Sequence, residues 1–336
     1  MCGVPQAYVL KNPILKHCGG WLVKKLKADT LSFFERHSSC IKRAIRRNPH
    51  WKYIAPAMVV LLILSILPTI FLFGVSLTNF QLGWKFTNPK LKFVWLKNYI
   101  RLFSGRDTDF WHAVFISLSF MTVATIVEMT IGFAIALLLN KYEFKLKPLV
   151  LAILIIPLAM TPTIAGQMWK LMFNAEYGLI NYILDALFNV RITWLSRDLA
   201  FWSILIVDVW QFTPFVILIL YAGLRSIPEE PQEAAMIDGA SPSRILFSII
   251  VPMMKKLIFV ALLMRSVDAL KLFDTAFVLT QGGPGNATEF LSLHVYRLVN
   301  AQNGLLGRGA AVAIVLLLLV NIVSKLLLKL QNREMD

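Results

Sequence analysis

Charge and cysteine are both scarce in this chain. Only 16% of its 336 residues are charged, and only three are cysteines. Cys2, Cys18 and Cys40 form no CxxC pair and no paired Cys/His ligand pattern, so neither a disulfide framework nor a metal site is indicated. They read as reduced cytoplasmic thiols. No Gly-x-x-x-x-Gly-Lys-Ser/Thr loop occurs, so the chain cannot hold ATP in the P-loop manner. There is also no HExxH, no nucleophile elbow and no paired-carboxylate motif, which removes the common catalytic constellations and leaves a membrane enzyme as a weak alternative. The chain itself is expected to bind no cofactor and no metal.

What it does have is apolar residues in long blocks, amounting to 57% of the sequence. Six blocks, at 54–77, 114–139, 149–173, 200–223, 257–279 and 310–328, each approach the ~20 residues that cross ~30 Å of hydrocarbon. The pattern predicts an all-α, polytopic membrane protein with six transmembrane helices. Pro68, Pro157, Pro162 and Pro214 fall inside these blocks, where neighbouring helices and side chains can satisfy the carbonyls they free. The first block begins after 53 residues, and Gly74-Val-Ser-Leu-Thr offers no Ala-x-Ala cleavage site, so it is expected to stay as a span. The chain then divides into a basic N-terminal segment at 1–53, a membrane domain at 54–328 and a tail at 329–336.

With the N-terminus inside, inner segments carry roughly twice the Lys and Arg of outer ones, which places both termini in the cytoplasm. The net charge of +15 follows from that topology and requires no nucleic acid. The first 50 residues mix Lys24, Lys25, Arg43, Arg46 and Arg47 with Trp21, Leu22, Phe33 and Phe34. Such a segment suits either an amphipathic stretch lying on anionic membrane lipid or a solvated tail.

The fifth block contains its own costly residues. Arg265, Asp268, Lys271 and Asp274 recur every third position, and each charge at the bilayer centre costs ~2.5 to 3.5 kcal/mol, so none can face lipid. On one continuous helix, Arg265 with Asp268 and Lys271 with Asp274 are i, i+3 pairs. They suit a structural ladder between helices or the polar wall of a translocation path, with Ala269 and Leu272 beside them setting selectivity. An ion-coupled secondary transporter would use the same charges as a relay. Glu128, Lys170, Asp208 and Gln211 read first as interhelical hydrogen-bond partners, with a pore role left open for them. Trp210 and Phe215 suit packing or stacking on a sugar ring.

A polar interruption at 226–252 carries the strongest local signals. Ser226-Ile-Pro-Glu229 has the form of a capping box and predicts a helix starting there. Gly239 falls where positive φ ends that helix, and Ser241-Pro242 starts a second one running toward Pro252. Ala234 and Ala235 give the first helix a small-residue face.

The register Glu233-Ala-Ala-Met-Ile-Asp-Gly239 followed by Ile249-Ile-Val-Pro252 resembles the EAA loop of the membrane subunits of ATP-binding-cassette importers. Val251 stands where that family usually has leucine. Residues 169–181 (WKLMFNAEYGLIN), 210–228 and 273–285 (FDTAFVLTQGGPG) are similar to stretches of the maltose and glycerol-phosphate class of sugar importers, in the first of two paired permeases. The resemblance implies a type I importer permease fold in a bacterial or archaeal cytoplasmic membrane. Glu233, Ala234, Ala235, Asp238 and Gly239 would then couple to a dimeric ATPase holding ATP and Mg. It further implies a second homologous permease subunit and an extracytoplasmic solute-binding protein.

Overall fold

The computed structural model describes residues 51–85, 87–301 and 304–333; the basic segment read at 1–50 lies outside them. The chain divides into one unit ending at Ile70 and another beginning at Phe71. In the first, helix α1 (Trp51–Leu61) passes into a π-helical turn at Leu62–Ile66; helix α2 (Leu67–Ser76) begins in this unit and has residues 71–76 in the second. Pro68 accounts for the turn. It has no amide to give the carbonyl of Leu64, and its ring crowds that carbonyl, so the backbone ahead of it widens.

In the second unit the regular elements among the described residues are helices, apart from a single bridge between Thr78 and Phe93. After α3 (Lys97–Phe103), the long helix α4 (Thr108–Lys141) is started by Asp107, whose side chain accepts from the amide of Phe110 at 3.3 Å. It packs along α8 (Ala200–Arg225). Gly132 permits that approach, because a Cβ there would come within 2.7 Å of Val216 Cγ1. Small residues at crossings are what membrane helices need, since lipid supplies no hydrophobic drive for them to associate.

The third apolar block does not form one helix. Helices α5 (Lys147–Ala159) and α6 (Pro162–Met172) meet at 95°. Pro162 forces Thr161 into the extended region, with ψ of 141°, and Met160 is extended as well. By length and composition, five helices among the described residues can cross a membrane, or six if the bent pair counts as one span, where six continuous spans were expected.

The fifth block is also interrupted. Helix α9 (Glu230–Ile237) and the short α10 (Pro242–Ile245) form the polar loop, a second π-helical turn covers Leu246–Ile250, and α11 (Val251–Leu270) continues from it. This turn too lies just ahead of a proline, Pro252, and Val251 donates five residues back to Leu246. The helix stops at Leu270 and resumes as α12 (Asp274–Leu279), which packs against α6. The remaining helices are α7 (Leu179–Phe188), α13 (Leu291–Tyr296) and α14 (Leu306–Arg333). The main core cluster joins α4, α8, α11 and α12 through Phe120, Ile204, Ala269, Leu272, Ala276 and Phe290.

Candidate functional site

The polar loop is shaped by local chemistry. Helix α8 ends at Arg225, and the Ser226 hydroxyl donates to the Gly223 carbonyl at 2.7 Å, so it closes the helix behind it. This corrects the expected capping box: α9 begins at Glu230, with Pro231 in its first turn and no side-chain cap. Its other end is as expected. Gly239 has φ of +77°, the Ala240 amide donates to Ala235 and the Gly239 amide to Met236, which is a Schellman closure. Ser241 then caps α10, accepting from the amide of Arg244.

The closure leaves α9 standing out. Glu233, Ala234, Asp238 and Gly239 are exposed and Ala235 is half-buried, while Ile237 is 86% exposed. Beside the helix lies a cavity of about 410 Å³ lined by Asn140, Arg225, Gln232, Glu233 and Met236. Arg225 is held at the loop's root by Glu143 at 3.1 Å, and Glu143 also accepts from Lys147 at 3.0 Å. The Lys147 hydrogen bond holds the Glu143 carboxyl below the usual carboxylate range. The start of α5 is thereby tied to the end of α8.

Inside the bundle, three charges from three helices converge. Arg265 of α11 donates through Nε and Nη2 to both oxygens of Glu128 on α4, the Nη2 bond being 2.7 Å. Nη2 also reaches Asp208 of α8 at 2.9 Å, and the guanidinium carbon lies 4.4 Å from the centre of the Phe212 ring. All three residues are at most 1% exposed. This corrects the expected ladder in the fifth block. Because α11 ends at Leu270, the four charges do not share one helix. Asp268 pairs with Lys271 at 3.2 Å, both about half exposed, and Asp274 opens α12, where an acidic residue complements the helix dipole.

Polar side chains also mend the broken spans. Gln211 donates to the freed carbonyl of Met160 at 2.9 Å, and Lys170 donates to Val278 at 2.9 Å, which ties α6 to α12. Glu128, Asp208, Gln211 and Lys170 are therefore interhelical partners, as their sequence context indicated. Trp210 packs edge-on against Trp169 with centroids 5.5 Å apart, and Phe215 packs against the cluster of Ala136, Val216 and Leu220. Ala269 and Leu272 are buried in the main core.

A second ionic cluster, absent from the sequence reading, lies at the opposite end of α4 from the loop. Buried Glu289 accepts from His294 at 2.6 Å and pairs with Arg297 at 2.6 Å, while Arg297 also reaches Asp109 at 2.8 Å. Its members are spread over 189 residues of sequence, from Asp109 to Arg297, so no local motif announces it.

With this geometry, the chain matches the family described as binding-protein-dependent transport system inner membrane component over residues 128–336. It is 41% identical over 268 residues to the trehalose/maltose transport system permease protein MalF of Thermococcus litoralis, covering 80% of this chain and 88% of that one. The trehalose transport system permease protein SugA of Mycobacterium tuberculosis is 30% identical, covering 86% and 90%. Among solved structures, a bacterial alginate ABC transporter in complex with its pentasaccharide-bound periplasmic protein superimposes with a TM-score of 0.74 at 18% identity, over 87% of this chain and 96% of that one. Its backbone is that of an importer permease. The curated relatives are permease subunits rather than enzymes, and ATP hydrolysis is the task of a separate subunit. The chain belongs to the binding-protein-dependent transport system inner membrane component family, as a multi-pass permease of an ABC importer.

Proposed function

We propose that this permease translocates a sugar, with a disaccharide such as maltose or trehalose the first to test given the 41% identical relative. It works beside a second homologous permease, in contact with membrane lipid, and receives solute from an extracytoplasmic binding protein. A dimeric ATPase holding ATP and Mg docks on the polar loop. Both termini and the segment Lys141 to Pro148 lie in the cytoplasm, an arrangement supported by the charge distribution.

The observation that carries this reading is the exposed α9 with its Schellman closure. Glu233, Ala234, Ala235, Asp238 and Gly239 form a short, rigid projection whose apolar Ile237 has no cover from its own chain among the described residues. The loop leads directly into α11, so a displacement of α9 is delivered to Arg265 and, beyond the break, to Asp268, Lys271 and Asp274. Trp210, Gln211, Ala269 and Leu272 flank that region and are the candidates for the pathway. Alternating access requires that ATP and solute stabilise two arrangements of these elements unequally.

Gly239→Val tests the docking role. A β-branched residue at positive φ costs roughly 1 to 2 kcal/mol and misaims α9 without touching a span. Membrane insertion is expected to be normal, while ATPase pull-down and solute-stimulated hydrolysis fall more than about tenfold. Wild-type association and uptake in this variant would reduce the loop to a surface hairpin. Topology is checked with single cysteines in intact cells: Arg197→Cys should react with an impermeant thiol reagent and Ser243→Cys should not.

A further inference from the structure

The cluster of Glu128, Asp208 and Arg265 presents a charge imbalance that helix pairing alone does not explain. Two carboxyl groups face one guanidinium, and all three side chains are sealed from solvent. Among the described residues, no second cation is bonded to either carboxyl group. Lys271 is engaged by Asp268 and half exposed, and Lys170 is directed to the Val278 carbonyl. Phe212 covers one face of the guanidinium with an apolar ring, which leaves no room there for a water-borne counterion.

Hydrogen-bond chemistry points the same way. Glu128 Oε1 and Asp208 Oδ2 share a single nitrogen, Nη2 of Arg265, at 2.7 and 2.9 Å. Two ionised carboxylates offer only acceptors and would face each other across that one nitrogen with no hydrogen to put between them. With one carboxyl protonated, the site contains one positive group, one negative group and one neutral acid that donates, and its charge is zero. In a buried setting an unbalanced charge is the costly alternative.

We propose that Glu128, Asp208 and Arg265 form a proton-binding site: one proton is carried by the pair of carboxyl groups and makes the junction of α4, α8 and α11 electrically neutral. The proton is resident. It lets an arginine on the helix that carries the polar loop grip two other helices at once, where a single carboxylate would grip only one. This does not depend on which solute the permease carries.

The test uses the full chain in its assembled complex, with Glu128→Gln, Asp208→Asn, the double amide and Arg265→Ala. Infrared spectra at neutral pH should show a carbonyl stretch of a protonated carboxylic acid, downshifted in D2O, that is absent from each single amide variant. In either single variant the remaining carboxyl ionises against Arg265, so the site stays neutral, and assembly and transport should stay within about twofold of wild type. The double amide leaves the guanidinium unbalanced, and assembled complex should fall more than about tenfold. Absence of the band in the wild type, or its persistence in both single variants, overturns the proposal. So do single amides as damaging as the double. Transport that requires sodium in the wild type and loses that requirement in Asp208→Asn would place a metal cation where the proton is proposed, and would also overturn it.

Discussion

The two ionic clusters of this protein use similar side chains under different solvent conditions. At the junction of α4, α8 and α11, Arg265 and both of its carboxyl partners are at most 1% exposed, and every bond is made within the chain. At the far end of α4, Arg297 is 30% exposed and its partner Asp109 40%, while Glu289 and His294 beneath them are buried. Water can replace a lost partner in the second cluster but not in the first. The same type of substitution should therefore have unequal effects, and identical geometry on paper should not be read as identical energy.

The largest difference is expected for Arg265→Ala, which strands two acids in a sealed site and should destabilise the assembled protein by about 3 to 5 kcal/mol. Thermal unfolding in detergent measures this. A double-mutant cycle sharpens it. Arg265→Ala should be strongly non-additive with Glu128→Ala and close to additive with Asp268→Ala, because Asp268 belongs to the exposed pair with Lys271. Strong coupling between Arg265 and Asp268 would restore the helical ladder that the break at Leu270 removes.

Arg297→Ala should be intermediate, about 1 to 3 kcal/mol, because Glu289 keeps its bond from His294 and Asp109 reaches water. A loss as large as that of Arg265→Ala would mean that exposure does not govern these clusters. Lys271→Ala should cost less than about 1 kcal/mol, as exposed pairs do. The smallest effect concerns Glu143 and pH. Its carboxyl titrates below the ordinary range because Lys147 donates to it, so the tie to Arg225 and Lys147 is complete above the unfolded pKa of about 4.3 and is lost only as pH falls through the lower folded value. Glu143→Gln should match wild type less well at pH 7, and the two should converge in acid. Uptake that weakens between pH 8 and 6 in the wild type alone would assign the titration to another group.

What was legible in the sequence was local. Gly239 and Ser241-Pro242 act on neighbours within five residues, so the turn and the second cap could be read directly. Ser226 shows the limit of that reading, since its hydroxyl had two helices to choose from and closed the earlier one. The prolines were visible, but their outcomes were not. Pro214 sits inside an unbroken α8, whereas Pro157 and Pro162 bracket a break whose freed Met160 carbonyl is met by Gln211, 51 residues away. The stop at Leu270 has no glycine or proline to mark it, and the Leu272 carbonyl beyond it is taken by the hydroxyl of Ser292. Arg265 finds Glu128 across 137 residues, a partnership that no spacing rule along one helix could supply.

The π-helical turn at Leu246–Ile250 has a mechanical consequence. The rod from α10 through α11 is 29 residues long, about 40 Å at 1.5 Å per residue, and it contains one residue more than α-helical spacing would seat in that turn. If the turn relaxed to α-helical spacing with every residue kept, the two ends of the rod would rotate against each other by about 100°. Arg265 is pinned on two other helices, so the rotation would fall on the free end, and α9 would swing to a different side of the bundle. The widened turn, enforced by Pro252, is thus a setting of angular phase between the grip at one end and the exposed projection at the other. Pro252 lies outside the exposed projection, yet the turn ahead of it fixes the direction in which a push arrives.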